Sequence, residues 1–397
     1  MEGNNVFILG AGFSHGCGHP LMKDFIEEGY KAIEAFGDST AIGIAEKFRD
    51  IKLEIKRAYD GHYAKERDLN NIEDLITLAH TGGEENKPLK GIIKDEASLF
   101  ITPIDFIIYA LKYTQKPIDN IEGTNFSIDQ YQVYKEILMT LQLRIEDNSL
   151  QGKILSALIK PIKVPYPQLF LLLASTNREQ VLPNLIVNFN YDLIIENFAL
   201  NIGNCCHIIY PQLKIKFGEG RTPIYIIKPN GSANWLRCTD CGRISVYQRY
   251  VNSGDSCLYC ESKHTIPYII APGEKAGLEF AENNIRLTEI CQMAKNIGIF
   301  GYSFPQGDEA HYEEFRTGLL NSREEPPVYV FDPDTGLMGN PNSWFSDLQQ
   351  YPTLRYHLKF NPFGEPVFHS SSRFEAERIF SNSESFDKMI NIFLKAK

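Results

Sequence analysis

Apolar runs and amphipathic stretches alternate along the chain and divide it into predicted strands and helices. The first apolar run, residues 6–9, is followed directly by Gly10-Ala11-Gly12 and then by apolar positions at helical spacing over 21–33. This order predicts a strand, a glycine loop and a helix. A Rossmann-like unit begins in the same way.

From about residue 40 to residue 178 the pattern becomes helical, with few strand-like runs. Five stretches repeat their apolar positions every 3.6 residues. They are 42–59, 71–80, 99–113, 127–143 and 150–162. We interpret this block either as a helical insertion after the first strand–helix unit or as a helical layer that covers the sheet.

Strand-like runs return from residue 185 and alternate with helical patterns. The predicted strands are 185–189, 208–210, 224–227, 268–270, 297–300 and 328–331, and the predicted helices are 192–200, 280–294 and 308–320. Alternation of this kind predicts an α/β fold, a Rossmann-like and mostly parallel sheet with helices on both faces.

Four cysteines form two closely spaced pairs. They are Cys238 with Cys241 and Cys257 with Cys260, and fifteen residues separate the pairs. Two such pairs can close a tetrahedral zinc site, and this spacing is typical of a zinc ribbon. The residues 245–251, between the pairs, are predicted to form a strand of that ribbon. Four thiolates leave no open coordination position, so we expect the zinc to be structural.

Composition narrows the class of protein further. Of the 397 residues 43% are apolar and 23% are charged, which is the balance of a globular chain rather than a disordered one. The formal net charge of −10 makes nucleic acid an improbable direct ligand. No apolar run approaches the length of a membrane span, and residues 1–5 lack the features of a signal peptide. These features predict an intracellular, cytoplasmic protein.

Glycine and polar residues follow several predicted strands, where ligands of open α/β sheets bind. They are Gly10, Ala11, Gly12, Phe13 and Ser14, then Asn190 and Asp192, then Asn230, then Gly301 and Ser303, and finally Asp332. A glycine loop between a strand and a helix allows backbone N–H groups to approach a pyrophosphate. Each position also has a purely structural interpretation, such as a turn at Asn190 or a helix cap at Asp192.

Taken in this order, the motifs resemble those of the sirtuin family. The family's glycine-rich opening is similar to 10–14, its Thr-Gln-Asn-Ile-Asp motif to 188–192, its His-Gly motif to Asn230-Gly231, and its Gly-Thr-Ser motif to 301–303; its zinc ribbon coincides with the four cysteines. The form Asn-Tyr-Asp and the long helical block look more like the prokaryotic sirtuin-like branch. Members of that branch act as NAD⁺-consuming effectors in anti-phage defence. The resemblance covers 5–36 and 180–335, about half of the chain.

The resemblance implies a protein that binds NAD⁺ or ADP-ribose and hydrolyses NAD⁺ to nicotinamide and ADP-ribose. Asn190 would orient the ribose hydroxyls or the attacking water, and Asp192 would hold the carboxamide. The residues 10–14, Gly301, Ser303 and Asp332 would hold the pyrophosphate and adenosine half. A homo-oligomer or a partner protein of a defence system is implied as well.

The chain departs from the family pattern in two places. The family's catalytic histidine is replaced by Asn230, whose amide cannot take up a proton near pH 7. The family's Gly-Ile-Pro-Asp-Phe-Arg stretch reads Gly-His-Pro-Leu-Met-Lys over 18–23. A catalytically inactive NAD⁺ or ADP-ribose sensor therefore stands as the alternative function, and NAD⁺-dependent protein deacylation ranks third.

Two histidines follow the glycine loop at the end where a nicotinamide would lie. They are His15 and His19. Either could substitute for the missing base, although solvated loop positions are the simpler interpretation.

We predict four units from these patterns. They are a sirtuin-like Rossmann domain formed by 1–36 and 180–335, a helical insertion at 37–179, a zinc ribbon at 236–264 within the Rossmann domain, and a C-terminal segment of unknown role at 336–397.

Overall fold

A computed structural model describes the fold over much of the chain. The described residues are 4–16, 19–59, 68–82, 96–114, 184–201, 206–219, 222–270, 286–305, 308–323, 326, 328–331 and 358–360. The predicted helices at 127–143 and 150–162 lie outside these residues, as does nearly all of the segment 336–397.

Eleven strands and eight α-helices occur within the described residues. The strands are β1 (Asn4–Leu9), β2 (Leu185–Asn188), β3 (Cys206–Tyr210), β4 (Ile215–Phe217), β5 (Thr222–Ile227), β6 (Gly231–Cys238), β7 (Ile244–Val246), β8 (Thr265–Ile269), β9 (Ala294–Phe300), β10 (Val328–Phe331) and β11 (Leu358–Phe360). The helices are α1 (Ala11–Gly16), α2 (Phe25–Phe36), α3 (Ser39–Tyr59), α4 (Ile72–Gly82), α5 (Glu96–Thr114), α6 (Ile194–Asn201), α7 (Leu287–Gln292) and α8 (Glu309–Leu320).

The larger sheet confirms the predicted α/β, Rossmann-like fold class. Among the described residues its strand order is β11-β10-β9-β1-β2-β5-β3-β4, and every neighbouring pair is parallel except β3 with β4. The central strand β1 carries four consecutive apolar residues over 6–9 that are completely buried. A strand covered by helices on both faces requires such a continuous apolar run, which explains why 6–9 does not alternate with polar residues.

The strand order reverses direction beside β1. The chain passes from β1 to β2 and β5 on one side and later returns to the other side with β9 and β10. In open α/β sheets the crevice for a ligand lies at such a switch point, beyond the carboxyl ends of the strands. The loops after β1, β2, β5 and β9 therefore define the place to look for a site.

A smaller antiparallel sheet, β7-β6-β8, corrects two expectations about strands. The predicted strand 268–270 exists as β8, but it pairs with β6 rather than joining the parallel sheet. The predicted ribbon strand at 245–251 is confined to β7, Ile244–Val246. In addition, the helix expected to reach residue 294 ends at Gln292, because Ala294 already belongs to β9.

Helices α2 to α5 pack around an apolar core that reaches the site end of the sheet. The rings of Phe48 and Phe106 stack with centroids 4.2 Å apart, and Tyr191 and Leu193 belong to the same buried cluster. The described part of the helical block thus covers the segment that follows β2. None of the described helices combines the length and the apolar character that crossing a membrane requires. The division into domains stays a prediction.

Candidate functional site

Two glycine-rich segments, called the glycine loops below, meet where β1 and β9 end. The first, 10–14, was predicted as a loop, but from Ala11 onward it belongs to the short helix α1. The N–H of Gly10 donates to Phe300 O at 3.1 Å, and the N–H of Gly12 donates to Gly301 O at 2.9 Å. A Cβ on Gly12 would lie 2.8 Å from Gly301 Cα, and Gly301 has a φ of +55°. Glycine is needed at these positions because any side chain would collide with the opposing backbone.

This close packing limits what the first loop can offer to a pyrophosphate. The N–H groups of Gly10, Gly12 and Phe13 all donate to carbonyl oxygens of the protein. The glycines were expected to allow a phosphate to approach, whereas in the structure they allow the loop after β9 to approach. The phosphate contact stays a prediction.

Asn190 follows β2 and lies against the first glycine loop. Its Nδ2 donates to Gly10 O at 2.8 Å, and its backbone N–H donates to Asn188 Oδ1 at 3.0 Å. Because the amide nitrogen is used in this way, the amide oxygen is the acceptor that Asn190 presents. The side chain is half-buried. An acceptor in this position suits a sugar hydroxyl or a water molecule.

Asp192 is buried beside Asn190 and accepts two hydrogen bonds. Ser14 Oγ donates to its Oδ2 at 2.5 Å, and the N–H of Ile194 donates to its Oδ1 at 3.0 Å. The second bond supports the start of α6, so the helix-cap interpretation of Asp192 is confirmed. Each carboxylate oxygen can accept a further bond, and capping therefore does not exclude contact with a ligand.

A buried ion pair contacts the backbone of Asp192. Lys228, at the end of β5, donates through Nζ to Asp192 O at 2.6 Å and to Glu196 Oε1 at 3.1 Å. Tyr210 donates its hydroxyl to the same Glu196 oxygen at 3.1 Å. Lys228 and Glu196 are 0% and 1% exposed. Burial, together with the charge of Glu196, raises the pKa of Tyr210 well above its ordinary value, so this phenol stays protonated.

Asn230 carries a buried acceptor with no hydrogen-bond partner among the described residues. Its Nδ2 donates to Phe189 O at 3.0 Å, while its Oδ1 is unpaired although the residue is only 2% exposed. The hydroxyl of Ser232, two residues further along, is buried and unpaired as well. Buried polar atoms are normally hydrogen-bonded, and an orphaned one indicates a place for a ligand or water.

His19 is not the solvated loop residue that the sequence favours, because it is only 3% exposed. Its backbone N–H donates to Ser14 O at 3.2 Å, and the ring nitrogen Nδ1 lies 3.4 Å from Thr114 Oγ1 of α5. Burial lowers the pKa of His19 below the usual value of 6.5, and the negative charge of Asp192 opposes this shift. The side chain of His15 lies outside the described residues.

The loop after β9 places its predicted binding residue at the surface. Ser303 is exposed and lies between Gly301, with φ +55°, and Phe304, with φ +45°. The loop is held from inside by Tyr302, whose ring stacks on Phe189 with centroids 4.2 Å apart. Asp332 lies outside the described residues, so its predicted contact with a ribose is not tested.

The four cysteines come together as predicted. Their sulfur atoms all lie within 4.8 Å of one another, with 3.6 Å between Cys238 and Cys260 and 3.7 Å between Cys241 and Cys257. Four sulfurs placed tetrahedrally at about 2.3 Å from zinc would be about 3.8 Å apart. The donor set and its spacing therefore fit a structural zinc ion.

Backbone geometry prepares both cysteine pairs for a metal. Gly242 has a φ of +73° and donates its N–H to Cys238 O, while Glu261 has a φ of +61° and donates to Cys257 O in the same way. The backbone N–H of Tyr259 donates to Cys257 Sγ at 3.4 Å, and Ser245 Oγ lies 3.7 Å from the same sulfur, so polar groups are in place to stabilise a thiolate. A thiolate near neutral pH is the form that binds zinc.

Strand β6 connects the metal centre to the site. It begins at Gly231, directly after Asn230, and ends at the zinc ligand Cys238. Gly231 has a φ of +76°, and a Cβ there would lie 2.1 Å from Tyr268 O of β8. The small sheet therefore fixes the position of Asn230.

The sequence predicted one site formed by the glycine loop, Asn190, Asp192, Asn230 and Gly301. It did not predict the buried ion pair that contacts this site. The sequence predictions assign no role to Lys228, which directly follows the predicted strand 224–227, or to Glu196. An available signal was Glu196 itself, because it directly follows the apolar run 193–195 in a segment that predicts a buried helix face.

Comparisons with known proteins give distant matches only. No family model matches the chain, and no curated protein matches it. Among solved structures, a Sir2 homologue in complex with NAD is 13% identical at a TM-score of 0.29, with 70% of this chain and 80% of that chain covered. A mutant of a Sir2 homologue in complex with ADP-ribose gives the same four values. A structure on the basis of sirtuin substrate affinity is 12% identical at a TM-score of 0.22, covering 42% and 58% of the two chains. The function proposed below rests on this chain's own residues.

Proposed function

We propose that the chain binds NAD⁺ at the switch point of its sheet and hydrolyses the bond between nicotinamide and ribose. The observation that carries the proposal is the convergence of Asn190, Asp192 and Asn230 beside the two glycine loops. Dinucleotides bind at such a point in open α/β sheets. The resemblance of the same motifs to the sirtuin family favours NAD⁺ over other nucleotides.

Two amide oxygens suit the ribose next to nicotinamide. Asn190 and Asn230 each use the amide nitrogen on a backbone carbonyl, which leaves the oxygen as the acceptor. Ribose hydroxyls and water are hydrogen-bond donors, so both oxygens have the polarity needed to orient them. Positioning of this kind removes a large part of the barrier for a reaction between a bound sugar and water.

Asp192 suits both sides of the scissile bond, the ribose and the nicotinamide. When the bond breaks, its electron pair leaves with nicotinamide and positive charge develops on the ribose. A buried carboxylate placed beforehand stabilises that charge more strongly than water would. The carboxylate can also accept a hydrogen bond from the carboxamide of nicotinamide, in addition to its bonds from Ser14 and Ile194.

The proposal is tested by incubating the purified chain with NAD⁺ and measuring released nicotinamide. We expect release by the wild type and a decrease of at least about 100-fold in Asp192→Asn, because the stabilising charge is lost. Asn321→Ala, at an exposed helix end, is the matched control and should keep the wild-type rate. An Asp192→Asn variant as fast as the control would contradict the proposal.

Asn230 favours a second function, a sensor that binds NAD⁺ or ADP-ribose without cleaving it. The amide of this residue can donate and accept hydrogen bonds, but it cannot take a proton from a hydroxyl. Calorimetry that detects nucleotide binding, with no nicotinamide released by either the wild type or Asn230→His, would establish the sensor.

A role in anti-phage defence extends the proposal to the cell. It is supported by the long helical block and by the Asn-Tyr-Asp form of the second motif, as the sirtuin resemblance implies. We expect infected cells that carry the chain to lose NAD⁺ and to yield fewer phage than cells that carry Asp192→Asn. A self-assembled form or a partner protein would appear in the same cells on size-exclusion analysis.

A further inference from the structure

Lys228 is a buried residue to which the proposed function assigns no part. It directly follows β5, lies two positions before Asn230 and is 0% exposed. Lysine is rarely buried to this extent, because removing an ammonium from water is costly unless the charge is paired. Its Nζ donates to Asp192 O at 2.6 Å and to Glu196 Oε1 at 3.1 Å. The shorter bond therefore goes to the residue that the proposed function places beside the scissile bond.

The ion pair with Glu196 does not by itself account for this lysine. Replacing a buried ion pair by apolar residues of similar volume is often neutral or stabilising. A fold that required only stability at this position could therefore use an apolar residue after β5. An apolar side chain could not donate a hydrogen bond to Asp192 O, whereas Lys228 donates one. The contact with Asp192 is thus the feature that needs an explanation.

The bond to Asp192 O is one of three that hold the segment 189–192, which follows β2. Three carbonyl oxygens of this segment accept hydrogen bonds from 228–233, which connects β5 to β6 and includes the start of β6. The bonds are from Asn230 Nδ2 to Phe189 O at 3.0 Å, from the N–H of Ala233 to Tyr191 O at 2.9 Å and from Lys228 Nζ to Asp192 O at 2.6 Å. Lys228 thus provides the bond at the end of the segment, where the carboxylate lies.

The side chain of Asp192 is held separately from its backbone. Ser14 Oγ donates to Oδ2 at 2.5 Å, and the N–H of Ile194 donates to Oδ1 at 3.0 Å. Lys228 holds the main chain of Asp192, and these two bonds hold the orientation of its carboxylate. A charged group stabilises a transition state most when its position is set before the reaction and does not have to reorganise. A residue that contacts no substrate can contribute to catalysis in this way.

We propose that Lys228 is a positioning residue for Asp192 in the hydrolysis of NAD⁺ and acts through the carbonyl of Asp192 rather than on the substrate. This inference rests on the function proposed above. Glu196 has a different part, because its carboxylate balances the ammonium and accepts a hydrogen bond from Tyr210 at 3.1 Å. A misplacement of about 1 Å caused by a residue far from the chemistry can lower a rate by about 100-fold. Loss of Lys228 should therefore lower turnover even in a chain that remains folded.

The kinetic test separates the ammonium from the ion pair with two variants. Glu196→Gln keeps the ammonium on Asp192 O and offers it an amide oxygen as the second acceptor. The double variant Lys228→Met with Glu196→Gln removes the ammonium and leaves no unpaired carboxylate. We expect the double variant to release nicotinamide about 100-fold more slowly than the wild type, and Glu196→Gln to stay within about threefold of it. The dissociation constant of NAD⁺ should change by less than about tenfold in both, because a misplaced carboxylate affects the transition state more than the bound substrate.

A purely structural role for Lys228 predicts the opposite order of rates. Turnover would then follow stability, and the double variant, in which the charges balance again, would be at least as active as Glu196→Gln. Urea denaturation of each variant shows that the chains compared are folded, and Asn321→Ala again serves as the control. A double variant as fast as Glu196→Gln would overturn the inference.

A second measurement does not depend on turnover. The N–H of Ile194 donates to the Asp192 carboxylate, so its exchange with deuterated water, followed by NMR, reports whether Asp192 keeps its place. We expect this amide to exchange at least about tenfold faster in the double variant than in Glu196→Gln, while the amides of β1 exchange equally in both. Equal exchange of the Ile194 amide in the two variants would contradict a positioning role.

The results distinguish failure of this inference from failure of the proposed function. If the wild type releases nicotinamide and the double variant matches Glu196→Gln, Lys228 is not a positioning residue and the proposed function stands. If the wild type releases no nicotinamide, the proposed function fails, and the role of Lys228 in that hydrolysis fails with it.

Discussion

The cysteine cluster and the candidate site are built in opposite ways, although one strand connects them. The metal ligands come from two tight turns within 23 residues, Cys238 to Cys260, and each turn forms its own hydrogen bonds. The pocket instead joins residues that lie far apart in sequence: Ser14 and Asp192 are 178 positions apart. Strand β6 connects the two regions, starting beside Asn230 and ending at Cys238. The turns around the cysteines hold the end of β6, and β6 in turn holds Asn230 in a site whose other residues come from distant parts of the chain.

Removal of the metal should have the largest effect on this arrangement. We expect Cys257→Ser to lose the zinc ion and to unfold β6, β7 and β8, because binding of a structural zinc supplies on the order of 10 kcal/mol of folding free energy. Hydrogen exchange should show lost protection in these three strands and retained protection in β1, β2 and β9. Metal content by mass spectrometry should fall from one zinc per chain.

The corresponding control is Cys291→Ser, a buried cysteine outside the metal cluster. It should keep the zinc ion, whatever its effect on packing. If Cys257→Ser left the small sheet protected, the metal would not be what orders β6.

The next largest effect on stability concerns the buried ion pair between Lys228 and Glu196. Lys228→Met should lower the free energy of unfolding by about 3–5 kcal/mol, because it leaves Glu196 buried without its partner. Urea denaturation measures this change. The double variant Lys228→Met with Glu196→Gln should recover part of the loss, since no unpaired charge remains, and an equally unstable double variant would show that the ion pair is not responsible.

Much of the fold follows from sequence because its signals are local. The buried run 6–9 and the spacing of the four cysteines each act over a few residues, and both led to correct predictions, a central strand and a cluster of four sulfurs. The pocket was only partly predictable. Asn190 and Asp192 stand at a strand end, which sequence reveals, whereas burial of His19 depends on α5 folding over the loop.

The pairing of β8 could not be predicted from the sequence either. An apolar run predicts a strand, but not the sheet that it joins, and β8 pairs with β6 because the zinc turns bring the two segments together. Lys228 and Glu196 were missed since their contact exists only after β5 and α6 have packed.

A smaller effect on stability is expected from replacing one glycine in each of the two regions. Gly301→Ala should destabilise the chain by about 2–4 kcal/mol, because it adds a positive-φ penalty of about 1–2 kcal/mol to a clash with the first glycine loop. Gly242→Ala has a similar φ of +73° but open space around its Cβ, so it should cost only the conformational penalty of about 1–2 kcal/mol. Thermal unfolding of both variants tests the difference, and equal costs would mean that the two loops do not pack as closely as described.

The smallest expected effect is a pH dependence of the unfolding free energy that comes from His19 of the candidate site and not from the cysteine cluster. Burial lowers the pKa of His19 below 6.5, so below pH 6.5 the unfolded chain binds a proton that the folded chain does not. Stability from this residue is fully present above pH 6.5 and is lost as the pH falls toward the folded-state pKa. His19→Gln should remove this contribution, so the difference in unfolding free energy between wild type and variant should be larger at pH 7.5 than at pH 5. Urea denaturation at both pH values measures it, with His264→Gln, an exposed histidine near the metal, as the control. A difference that does not change with pH would show that His19 titrates alike in the folded and unfolded chains.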